Sequence, residues 1–103
     1  MSIVLNAETA TKTIKNFEEV INFNPGLPGD WYIDVTDNPQ EVLVDHKIRL
    51  NRDVYFYETF SNAFVPVFIK DHFLRFGVDG VRRIFDSKST SVFLYKKTTN
   101  SIP

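Results

Sequence analysis

Residues 24–29 read NPGLPG. Proline lacks an amide donor and glycine loses the most backbone freedom on ordering, so this stretch continues neither a helix nor a central strand. It divides the chain into two parts of different character. Upstream, Ala7, Ala10, Ile14, Phe17 and Ile21 recur at alternating steps of three and four residues, the spacing of one helical face. The pattern predicts a helix over 7–22, with Asn6 as its N-cap and Glu8 in its first turn. Residues 1–29 are thus expected to form an N-terminal helix and a Pro/Gly turn. Residues 30–97 then form one α+β domain, and 98–103 a flexible tail.

The remainder is rich in β-branched and aromatic residues. WYIDV (31–35) reads as a strand. TDNP turns the chain, and EVLVDHKIRL (41–50) is expected to be a second strand with Val42, Val44 and Ile48 on one parity. VYFYETF (54–60) is a third. Pro66 suits the first turn of a helix over 66–76, whose apolar face is Val65, Ile69, Phe73 and Phe76, and Gly77 is its left-handed stop. GVRRIFD (80–86) and SVFLYKK (91–97) are expected to pair as a hairpin through SKST. The resulting fold is α+β: a two-layer sandwich with a four- to five-stranded mixed or antiparallel sheet. Helix 66–76 lies on one face, and the N-terminal helix on the other face or along an edge.

Composition narrows the chemistry. The chain has no cysteine, so it has neither a disulfide framework nor a thiolate metal site. No stretch approaches the roughly 18 consecutive apolar residues of a membrane span. The start, MSIVLNAE, lacks the basic and apolar regions of a secretory signal, and a cytoplasmic location is the simplest expectation. Residues 1–45 carry a net charge of −6 and residues 46–103 a net charge of +5. The halves either attract each other within the fold, the favoured reading, or present opposite faces to partners.

Catalytic patterns are sparse. His46 and His72 each follow an aspartate, but neighbours on a strand point to opposite faces and neighbours on a helix diverge by about 100°. Both histidines are therefore expected to be surface groups. Metalloprotease, phosphate-loop, dinucleotide and nucleophile-elbow motifs are missing. GVDG (77–80) lacks the Lys and Ser/Thr of a phosphate loop, and Glu18 and Glu19 are expected on a solvated helix face. Expectations are therefore no catalytic residue, no metal and no cofactor.

The hairpin offers one candidate surface. Strand alternation groups Arg83 and Phe85 with Phe93, Tyr95 and Lys97, opposite an aliphatic set of Ile84, Val92 and Leu94. An open face of this kind stacks bases and neutralises phosphates. The favoured expectation is that the N-terminal helix covers it with Ile14, Phe17 and Ile21.

The order from residue 31 onward resembles the N-terminal domain of the Nfu (NifU-related) iron–sulfur scaffold proteins. There a Thr-x-Asn-Pro turn follows the first strand and leads into an alternating second strand; here Thr36, Asn38, Pro39, Val42 and Val44 match. A helix, a Gly-Val-x-x-Val and a hairpin follow, matched by VPVFIKDHFLRF, by Gly80, Val81 and Ile84, and by VFLYKK. The family's Cys-x-x-Cys domain, which holds the cluster, has no counterpart in this sequence. Clusters are held mainly by cysteine thiolates. The resemblance therefore implies an accessory interaction domain without a cluster and without catalysis, whose partner is another protein. The alternative is a small nucleic-acid-binding protein using the Arg83/Phe85/Phe93/Tyr95/Lys97 face. The sequence does not specify an oligomeric state.

Overall fold

A computed structural model describes residues 2–24, 26–82 and 84–103, with side chains from Ala10 onward. It is a small α+β fold with helices α1 (Ser2–Phe23), α2 (Pro39–Asp45) and α3 (Phe64–Phe76). Strands β1 (Trp31–Thr36), β2 (Tyr55–Thr59) and β3 (Ser91–Lys96) form an antiparallel sheet in the order β1-β3-β2. Among the described residues, three strands replace the four to five expected. No helix among the described residues is long and apolar enough to cross a membrane.

α1 ends at Phe23, where Asn24 donates from both its backbone and side-chain nitrogens to the Val20 carbonyl. Its start precedes the expected one. Asn6 lies inside the helix rather than capping it, because nothing in SIVL breaks a helix. Ala10, Phe17 and Ile21 are buried as the periodicity predicts.

The largest correction concerns 41–50, which is not a strand. Asn38 caps α2: its Oδ1 accepts from the Glu41 amide at 3.3 Å, and its Nδ2 donates to Glu41 Oε2 at 3.0 Å. Pro39 occupies the first turn, where no amide is needed. These local bonds satisfy the exposed helix start and outweigh the Val42/Val44 alternation. Leu43, of the other parity, is the residue α2 buries completely, and Val44 is exposed. The chain then turns through Lys47, which has φ 65°, and plants Ile48 in the core.

The expected hairpin is also absent. Among the described residues of 80–86 there is no strand. SVFLYK instead forms the central strand, paired with β1 from Trp31↔Lys96 to Thr36↔Ser91 and with β2 from Tyr55↔Tyr95 to Thr59↔Ser91. A central strand is buried on both faces, which explains its unbroken VFLY run.

Helices cover both faces, but not as expected. α1 and α3 share one face, closing over Trp31, Ile33, Val92 and Leu94 with Phe17, Val65, Ile69 and Phe73. The Phe17 and Phe73 rings lie 5.8 Å apart. The opposite face holds Tyr32, Phe93 and Tyr95 and is covered by Leu43 and Ile48, not by the N-terminal helix. The 98–103 tail, expected to be loose, is tied back where the Ile102 amide donates to the His46 carbonyl at 2.9 Å.

One ion pair links the acidic and basic parts of the chain inside the fold. Lys70 Nζ donates to Asp34 Oδ1 at 3.0 Å, with both side chains buried, and the same oxygen accepts from the Val35 amide.

Candidate interaction surface

The five residues grouped by strand alternation do not form one face. Phe93 and Tyr95 are 0% exposed, because they sit on the central strand beneath Leu43 and Ile48. Lys97 donates to the Gly29 carbonyl at 3.0 Å and pairs with Asp79 at 2.8 Å. Phe85 lies apart from these rings, stacked on Phe64 of α3. Arg83 lies outside the described residues. The rings needed to stack bases on this face are therefore closed off.

Each histidine meets a group distant in sequence. Half-buried His46 places Nδ1 2.9 Å from the Tyr95 hydroxyl and packs edge-on against the Tyr95 and Phe93 rings. Burial pushes the Tyr95 phenol upward, with the Tyr32, Asp79 and Asp34 charges adding to it. This phenol stays protonated at ordinary pH and serves as a core hydrogen-bonding group. His72 Nε2 lies 3.7 Å from Glu18 Oε2, joining α3 to α1 at the surface. An open cleft of about 600 Å³ beside α2 carries Asp34, Asp37, Asp45, Asp86, His46 and Ser89. Asp34 is already engaged by Lys70. Among the described residues no group of His, Cys, Asp or Glu is arranged to hold a metal ion.

The unusual feature of the surface is on α3. Asn62 begins the helix by accepting from the Phe64 and Val65 amides through Oδ1, and Gly77 ends it at φ 107°. The start is thus two residues earlier than expected from Pro66. Within it, Val65, Ile69 and Phe73 form a buried ridge. The adjacent ridge, four residues apart at each step, is Phe64, Phe68, His72 and Phe76, and it faces outward. Phe64 is 72% exposed and Phe68 60%. Phe76, expected in the core, is also exposed.

Phe85 extends this ridge. Its ring centroid is 4.8 Å from that of Phe64, with 19° between planes. Two hollows lie along α3. One, of about 340 Å³, is lined by Phe68, Asp71, His72, Arg75 and Phe76. The other, of about 270 Å³, includes Val67, Asp71, Arg82, Ile84 and Phe85. The arrangement is an aromatic centre with charged groups of both signs at its rim. Sequence reasoning missed Phe64 and Phe68. The signal was present: they are the helix phenylalanines left over once Val65, Ile69, Phe73 and Phe76 are assigned to the core.

No protein-family model matches this chain, and no curated protein or solved structure shows significant similarity to it.

Proposed function

We propose that this chain is a non-enzymatic protein-interaction module that docks another protein on the Phe64/Phe68/Phe85 surface. The observation that carries the reading is the exposed, stacked Phe64–Phe85 pair beside Phe68. Water-exposed apolar patches of this kind mark contact sites. Aromatic anchors in a well-packed centre supply most of the energy of such contacts. The partner's chemistry follows from the relief: two apolar side chains that enter the hollows along α3, one beside Phe68 and one beside Phe85, with polar groups meeting Asp71 and Arg75. A cytoplasmic setting is in keeping with a chain that carries no cysteine.

From the resemblance to the Nfu N-terminal domain the proposal keeps only the accessory role. The Thr-x-Asn-Pro pattern leads here into helix α2, and 91–96 is a central strand. Burial of Phe93 and Tyr95 counts against nucleic-acid stacking on the face first considered.

The test compares tagged wild-type chain with Phe68→Glu, both checked for an intact fold by near-ultraviolet circular dichroism. Proteins retained by the wild type and lost from the variant support the reading. Identical proteins retained by both would contradict it.

A further inference from the structure

The two edges of the sheet are treated differently. On the β1 edge, the Asp79 amide donates to the Trp31 carbonyl and the Ile33 amide to the Asp79 carbonyl, both at 2.9 Å. Further along, the Val35 amide is taken by Asp34 Oδ1 at 2.8 Å. That edge is closed by the chain's own atoms.

The β2 edge has no such cover. The Lys96 amide donates to the Val54 carbonyl and the Phe60 amide to the Thr90 carbonyl. These bonds set the parity: Val54, Phe56, Glu58 and Phe60 aim their backbone groups at β3. By alternation, the amides and carbonyls of Tyr55, Tyr57 and Thr59 aim outward, away from the sheet. Among the described residues none of these amides meets an acceptor. The strand YFYET contains neither proline nor lysine, residues that ordinarily protect an open edge. Phe56 and Tyr57 stand exposed on its two faces.

We infer that the β2 edge pairs with the β2 edge of a second copy of this chain, antiparallel and centred on Tyr57. The strand is self-complementary in that register. Tyr57 meets its own copy, and Tyr55 meets Thr59, so every outward amide finds an outward carbonyl. On the α1 side, Phe56 meets Glu58. The sole charge on the strand therefore faces a ring rather than its own copy, and the two Phe56 rings become diagonal neighbours. On the α2 side, the Tyr57 rings form a direct cross-strand aromatic pair. The pairing joins two three-stranded sheets into one continuous sheet. It leaves the Phe64/Phe68/Phe85 surface of α3 free, so it stands independently of the function proposed above.

The test is sedimentation velocity over a concentration series from about 10 μM to about 1 mM, where mass action populates a weak dimer. Amide exchange at Tyr55, Tyr57 and Thr59 is followed in parallel. The expected result is a concentration-dependent dimer in which these amides become protected. Phe56→Lys and Tyr57→Lys each add the edge charge that opposes pairing and should weaken the dimer about tenfold or more. Phe68→Glu should leave it unchanged. A chain that stays monomeric at the highest concentration overturns the inference, as does one that binds an extended peptide at this edge while remaining monomeric. A dimer that survives both lysine variants, or that is lost in Phe68→Glu, also overturns it.

Discussion

The ring of Phe85 lies stacked on that of Phe64, 4.8 Å between centroids, although the two are held by different parts of the chain. Phe64 belongs to the first turn of α3, and Phe85 to the irregular segment that follows Gly80. Their contact holds that segment against the helix while both rings stay exposed.

Two phenylalanines five residues apart on α3, on opposite sides of the helix, should respond oppositely to truncation. Phe73 is fully buried and packs on Phe17, so Phe73→Ala or Phe17→Ala should cost about 3–5 kcal/mol. Phe68 points to solvent, and Phe68→Ala should fall within about 0.5 kcal/mol of wild type. Urea unfolding of the three variants measures the contrast.

Removing the amine from the buried ion pair should be costly. Lys70→Ala leaves the Asp34 carboxylate buried without its lysine partner, while the Val35 amide still donates to it. Breaking one side of such a pair costs about 3–5 kcal/mol. Replacing both groups by apolar residues should recover much of that loss, which a double-mutant cycle of unfolding free energies will report.

α2 exists because of its start. Asn38→Ala removes the acceptor for the Glu41 amide and should destabilise the fold by about 1 kcal/mol. Asn38→Asp should retain most of the stability. If 41–50 were a strand, as its valines suggest, the cap substitution would have little effect, and amide exchange across 41–46 would separate the two cases.

Acid should weaken two surface tethers. The Asp79 carboxyl is held below its ordinary 3.8 by the Lys97 hydrogen bond, and that of Asp53 by the side-chain and backbone bonds from Arg49. Both folded-state values lie below the unfolded ones. Their stabilisation is therefore complete at neutral pH and is lost as pH falls from the ordinary carboxylate range through the lowered values. Chemical unfolding at a series of pH values should show stability declining in that acid range, with a shallower decline in Lys97→Met.

What the sequence made legible follows the strength of each local signal. β1, β2, the stop after α1, and the Gly77 end of α3 rest on strong residue-level preferences, and each is found. α2 was hidden because Val42 and Val44 mimic a strand while Asn38, Pro39 and Glu41 encode a cap, and the cap decides. β3 was recognised as a strand but given the wrong neighbour, since pairing it with β1 and β2 needs contacts distant in sequence. That error misplaced the candidate surface: Phe93 and Tyr95 alternate like surface residues of a hairpin, yet a central strand buries both parities. Phe85 was legible as a functional candidate, but its companions are Phe64 and Phe68, which only the helix geometry brings to it.

The proposed function puts Phe68 in a contact with another protein. Incorporating the photo-crosslinking residue p-benzoylphenylalanine at position 68, a close analogue of the phenylalanine it replaces, tests this in the living cell. The same residue at Leu27, which is also strongly exposed, serves as the control. A discrete crosslinked product with one other protein from position 68, and none from position 27, is the predicted result. Illumination that yields no adduct from position 68, or the same adducts from both positions, would contradict it.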